Sequence, residues 1–117
     1  MDLINNAVKR TTEYIETMPK ALRKSYGQFF TSKETTVFMA GLLDLSECSD
    51  SISVLNPGAG SGILSIALLE RLQGSPIGRV SLVCYENDDK IIPILKANLE
   101  YTKHNVSFDL ILIPNNK

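Results

Sequence analysis

The sequence predicts an α/β fold with three parallel strands in the order 3-2-1, joined by crossover helices and preceded by N-terminal helices. Three observations predict it. From residue 52 onward, short β-branched runs alternate with helix-periodic ones, as in a parallel sheet with helical crossovers. A glycine-rich turn, Asn56-Pro57-Gly58-Ala59-Gly60-Ser61-Gly62, joins the first of those runs to the helix after it. Upstream, two further segments carry apolar side chains at helical spacing. Right-handed crossovers give the 3-2-1 order and put the ligand crevice at the carboxyl ends of the strands.

The first helix is expected over residues 3–18, where Leu3, Ile4, Ala7, Val8, Ile15 and Met18 share a face and Pro19 marks the stop. A short basic linker is expected next, ending in Lys24-Ser25-Tyr26-Gly27-Gln28-Phe29-Phe30-Thr31. Thr31-Ser32-Lys33-Glu34 matches a capping box in which the Thr31 oxygen accepts a backbone N–H and Glu34 reaches back. The helix it opens runs through Val37, Phe38, Ala40 and Leu42 to about Leu45, with Phe29 or Phe30 as a hydrophobic staple. Residues 46–51 are polar and read as a loop.

Strand one is expected over Ile52 to Asn56, and the helix after the glycine turn carries Ile63, Leu64, Ile66, Ala67, Leu68 and Leu72 before Gln73-Gly74 ends it. Ser75-Pro76-Ile77-Gly78 is a turn, and Val80, Leu82, Val83 and Cys84 form strand two, ending at Tyr85-Glu86. Asn87-Asp88-Asp89 offers caps for a helix with apolar residues Ile91, Ile92, Leu95 and Leu99 and an irregular start at Pro93. Val106 to Ile113 is the third strand.

A chain of 117 residues, 44% hydrophobic and 21% charged, fits one globular domain at most. Its net charge of −1 argues against a strongly basic nucleic-acid module. Lys9, Arg10, Lys20, Arg23, Lys24 and Lys33 nevertheless crowd the first third, as a solvated helix face or as contacts to a phosphate backbone. No apolar run is long enough to span a bilayer, and no signal-peptide pattern opens the chain. Cys48 and Cys84 lack metal-ligand spacing, so two reduced cysteines in a cytoplasmic protein are expected, with Cys84 in the core. His104 stands in a polar stretch and reads as a surface residue. No metal site is expected.

The glycine turn carries the chemistry. Gly58 and Gly60 permit positive φ, and Gly62 lets the helix lie close to the strand. Such a turn aims backbone N–H groups and a helix N-terminus at a ligand, although a purely structural strand–helix turn has the same glycines. Glu86 ends the second strand, 24 residues beyond Gly62, where a carboxylate can accept hydrogen bonds from both hydroxyls of a ribose. The structural alternative is a strand-terminal acid facing water. Together the two motifs point to an adenosine-containing cofactor, a nicotinamide dinucleotide or S-adenosylmethionine.

Gly58-x-Gly60-x-Gly62 differs from the G-x-G-x-x-G fingerprint of dinucleotide sites. Asn56-Pro57-Gly58-Ala59-Gly60-Ser61-Gly62 instead resembles the cofactor loop of S-adenosylmethionine-dependent methyltransferases. Residues 24–32 resemble the N-terminal motif of the adenine-specific DNA methyltransferases of restriction–modification systems, which place it ahead of the glycine loop. The resemblance covers roughly Gly27 to Leu99 and rests on three motifs in order. It implies a partial Rossmann-like methyltransferase fold, with residues 1–23 as a helical arm and 24–117 as a truncated S-adenosylmethionine-binding domain. It also implies that Thr31 binds the methionine end of the cofactor, that Asn56, Pro57, Gly58, Ala59, Gly60 and Gly62 form the loop around methionine and ribose, that Glu86 holds the ribose hydroxyls, and that Asn87 borders the adenine. Asn56 stands where the family has Asp or Glu, so it can accept a hydrogen bond but offers no charge to the cofactor's ammonium.

Family members carry an Asn or Asp followed by Pro-Pro and an aromatic, which receives the flipped adenine. The chain has no such motif; residues 108–116 resemble its leading edge only loosely, and no catalytic residue is assigned. The expectation is the N-terminal cofactor-binding part of a DNA adenine methyltransferase, inactive alone, with DNA as partner of the intact enzyme. In that enzyme the methyl group would pass to the adenine amino group by direct displacement, with the protein supplying positioning and electrostatics. A homodimer through an exposed sheet edge is expected as well. The alternatives are a nicotinamide-dependent oxidoreductase fragment and a non-catalytic interaction module; a methyltransferase acting on RNA or protein is a nearer variant.

Overall fold

A computed structural model describes residues 2–29, 32–45 and 50–113, with the backbone alone at 27–29. The element order is α1 (Leu3–Glu16), α2 (Lys20–Phe29), α3 (Lys33–Gly41), β1 (Ser51–Asn56), α4 (Ile63–Leu72), β2 (Arg79–Cys84), α5 (Ile92–Lys103) and β3 (Asp109–Ile113). The strands form one parallel sheet in the order β1-β2-β3, which is the expected 3-2-1 order read from the other edge. Val54 lies opposite Leu82, and Leu82 opposite Leu112, so one face of the sheet is an apolar layer.

That face carries the main core. Leu68, Leu69 and Leu72 of α4 and Leu95 and Leu99 of α5 pack with Val80, Leu82 and Leu110 of the sheet. A second core lies on the far side of α4, where Ile63, Ile66 and Ala67 meet Leu3, Ile4 and Ala7 of α1 and Ala40 of α3. Helix α4 is apolar nearly all round because it is shared by both cores. The opposite sheet face, with Leu55, Ile111 and Ile113, is exposed among the described residues. No helix among the described residues is long and apolar enough to cross a membrane.

Several expectations change. The stretch expected as a basic linker is helix α2, and Pro19 opens it: the Pro19 carbonyl accepts from the N–H groups of Leu22 and Arg23. Proline serves a helix start because its missing N–H is not needed there. The cap of α3 is Ser32, one residue later than expected, and its Oγ accepts from the Thr35 N–H. Thr31, Phe30, Cys48 and residues 114–117 lie outside the described residues, as does the Phe29 side chain. Helix α5 begins at Ile92, with Ile91 at its cap position and no side-chain cap, and of residues 87–89 it is Asp88 that bonds in the preceding turn. Pro93 lies within the first turn, where its lack of an N–H costs nothing.

Candidate cofactor site

The carboxyl ends of β1 and β2 are adjacent, and the chain leaves both as loops. The Tyr85 N–H donates to the Asn56 carbonyl at 2.9 Å, and the Tyr85 carbonyl accepts from the Ala59 N–H at 2.9 Å. These two bonds carry the parallel pairing past the end of the sheet and bring the glycine loop beside the segment that holds Glu86.

Glu86 closes the contact. Its Oε1 accepts from the Gly60 N–H at 2.7 Å, and its Oε2 accepts from the Asp88 N–H at 3.1 Å. A carboxylate offers about four lone-pair positions, so two backbone donors leave room for two more. The acid is therefore aimed and half-satisfied by the protein, with capacity left for a pair of hydroxyls.

In the loop, positive φ occurs at Gly60 (58°) and Gly62 (89°) but not at Gly58. The expected role of Gly58 thus passes to Gly62. A Cβ at Gly62 would sit 2.9 Å from Leu95 Cδ1, so this glycine admits α5, not the strand, to close approach. A Cβ at Gly58 would meet nothing within 4 Å. Gly62 is also the N-cap of α4, which has no side-chain cap; that leaves the first N–H groups of the helix without that partner.

The Asn56 side chain points back into the fold. Its Nδ2 donates to Ser65 Oγ at 2.7 Å, and Ser65 Oγ lies 3.6 Å from Cys84 Sγ. Burial pushes the Cys84 thiol up from its ordinary pKa, with the Ser65 contact opposing. Cys84 packs half-buried against the main core, as expected. Pro57, Gly58 and Asn87 are exposed, and Ala59 and Gly60 are buried. Beside Glu86 a cavity of about 410 Å³ opens between α5 and the sheet, lined by Leu82, Ile92, Leu95 and Leu112 with Lys96 and Glu100. That volume falls in the range of small-molecule sites, ~300–1,000 Å³.

Two sets of residues around the site were not anticipated. Asn98 of α5 is fully buried; its Nδ2 donates to the Ser61 carbonyl at 2.8 Å and to Thr11 Oγ1 at 3.1 Å, and its Oδ1 accepts from Arg10 at 2.8 Å. Arg10 also donates to Asn6 and lies 4.5 Å above the Tyr101 ring, so one residue of the basic run is structural. Helix α1 is tied in this way to the carbonyl just before Gly62. The signal was an uncharged polar residue on the apolar face of a helix, three residues after Leu95. The second set is Tyr26 and Asp88, whose side chains meet at 2.8 Å beside Glu86. Of the remaining site residues, Thr31 is outside the described residues, while Asn56 through Gly62 and Glu86 are brought together.

In an alignment of 111 residues that covers 87% of its length, the chain is 31% identical to the type II methyltransferase M.BsuBI of Bacillus subtilis. It covers 22% of that protein, about a fifth of the length of the curated relative it matches. No family model matches, and no solved structure matches significantly. The resemblance carried by the three sequence motifs thus has a counterpart across most of the chain, which is similar over that span to part of a type II methyltransferase.

Proposed function

We propose that the chain is the cofactor-binding portion of an adenine-specific DNA methyltransferase of a restriction–modification system, and that its cofactor is S-adenosylmethionine. The observation that carries this reading is the bond between Gly60 and Glu86, which holds a strand-end carboxylate against a glycine loop. The homology to a type II methyltransferase supports the choice of cofactor over a nicotinamide dinucleotide, as does the glycine spacing.

The residues present fit the group. Glu86 has acceptor capacity left for two ribose hydroxyls, the Gly58 position is open, and the cavity beside Glu86 has apolar walls for a purine. In this reading Glu86 accepts from the ribose hydroxyls, and the loop from Asn56 through Pro57, Gly58, Ala59, Gly60 and Gly62 borders ribose and methionine. Thr31 binds the methionine carboxylate or ammonium, and Asn87 edges the adenine. When bound, S-adenosylmethionine supplies a methyl group on a positively charged sulfur. The chain's own residues bind and orient it; alone they transfer nothing, because no Asn/Asp-Pro-Pro-aromatic motif occurs among them. DNA is the partner of the whole enzyme, which works in the cytoplasm with it.

Calorimetric titration with S-adenosylhomocysteine tests the reading, with NADH as the control ligand. Saturable binding of the first and none of the second is expected; the reverse selects the oxidoreductase alternative. Incorporation of labelled methyl groups into DNA by the purified chain would overturn the assignment of inactivity.

A further inference from the structure

We propose that Tyr26 is a positioning residue for Glu86, acting through Asp88; this rests on the reading of Glu86 as the ribose-binding acid. The Tyr26 hydroxyl, on α2, donates to Asp88 Oδ2 at 2.8 Å across 62 residues of sequence. Asp88 Oδ1 accepts from the Lys90 N–H at 2.9 Å, and the Asp88 N–H donates to Glu86 Oε2 at 3.1 Å. One aspartate therefore receives α2 on one oxygen and its own turn on the other, while its backbone holds the acid. Tyr14 of α1 makes a second tie to the same turn, donating to the Lys90 carbonyl at 2.6 Å.

The turn from Tyr85 to Lys90 leaves the sheet at β2 and reaches α5 without a side-chain cap. Its shape rests on the Asp88 side chain, and the shape decides where the Asp88 N–H points. Without the Tyr26 hydroxyl, the Asp88 side chain keeps only the local Lys90 bond among those described, and the turn keeps its tie to α1 through Tyr14 but loses the one to α2. Glu86 then keeps the Gly60 bond on Oε1 but has a looser partner on Oε2. The acid remains in place and loses its aim. Tyr26 immediately precedes Gly27, so the N-terminal motif is joined to the acid it precedes by 60 residues.

The test compares the intact chain with Tyr26→Phe, Asp88→Asn and the double variant. Affinity for S-adenosylhomocysteine is measured by calorimetry, and adenosine and 2′,3′-dideoxyadenosine are compared as competitors. Each single variant is expected to bind S-adenosylhomocysteine about five- to tenfold more weakly, and the double variant no more weakly than either. The preference for adenosine over its dideoxy analogue is expected to shrink by the same factor, because the defect lies at the hydroxyls. A merely structural role would weaken both competitors alike and leave the preference unchanged, which would overturn the proposal. If the unmodified chain binds and Tyr26→Phe binds equally well, this role falls and the cofactor reading stands. If the unmodified chain binds none of the three ligands, the cofactor reading falls and takes this role with it.

Discussion

The backbone N–H of Gly60 and Oε1 of Glu86 are 2.7 Å apart, a bond between the turn that follows β1 and a residue two positions past the end of β2. Gly60 is buried, so its N–H needs an acceptor in the folded protein. The acid is thus part of the fold as well as of the candidate site. Replacing it removes a charged acceptor from two backbone donors at once. Glu86→Ala is expected to lower stability by about 1.5–3 kcal/mol in urea unfolding, the range for a hydrogen bond to a charged group. A change within experimental error would show that the contact carries no weight in folding.

Gly62 and Gly58 separate folding from binding. Gly62 has positive φ, and a Cβ would press on Leu95 in the core. Gly62→Ala is expected to cost about 1–3 kcal/mol, as strain at a special backbone position does. At Gly58 neither constraint applies. Gly58→Ala is expected to leave the urea midpoint within about 0.5 kcal/mol of the parent, since exposed positions tolerate such changes, while weakening S-adenosylhomocysteine.

Asn98 links α1, α5 and the glycine loop from a fully buried position. Asn98→Leu leaves the Ser61 carbonyl and Thr11 hydroxyl without this partner, at roughly 1–3 kcal/mol for each buried polar group stranded. A urea titration is expected to show a loss at least that large. No loss would mean that water or a shifted α1 replaces the amide.

The Tyr26–Asp88 contact predicts a pH window. The bond from Tyr26, then that from Lys90 N–H, holds the Asp88 carboxyl below its ordinary value of 3.8. The same bond to Asp88, then partial burial, raises the Tyr26 phenol above its ordinary 10.0. A depressed carboxyl contributes stability that is full above 3.8 and is lost as pH falls through the lowered value. A raised phenol contributes stability that is full below 10.0 and is lost as pH rises through the raised value. The stability difference between parent and Tyr26→Phe should therefore be flat between these limits and vanish beyond both. A difference independent of pH would contradict the bond.

The order of strands, the glycine turn and the acid were legible because each is a local signal: β-branched runs, glycines at alternate positions, an acid ending a strand. Helix α2 was not, because its charged residues mask a short apolar spacing, and Pro19, which follows the end of α1 at Glu16, also opens the next helix. The close approach at Gly62 comes from Leu95 of α5, a contact between segments 33 residues apart. The Asn98 and Tyr26 networks join segments 37 to 88 residues apart, which no spacing rule reaches.

The sheet's second face exposes Leu55, Ile111 and Ile113, and parallel sheets are ordinarily covered on both faces. Together with the edge strands β1 and β3, this surface is where the pairing of two copies expected from the sequence would form. Sedimentation is expected to give a mass that rises with concentration, and Ile113→Lys is expected to abolish the rise. A single-chain mass at the highest concentrations would remove the dimer from the account.

Cofactor binding at Glu86 is tested most directly by calorimetry of S-adenosylhomocysteine with the chain and with Glu86→Gln, a substitution that keeps the shape and removes the charge. One saturable site is expected in the parent, with affinity at least tenfold weaker in the variant while the fold, followed by circular dichroism, is retained. Equal affinity in the two proteins, or no heat of binding in the parent, would contradict it.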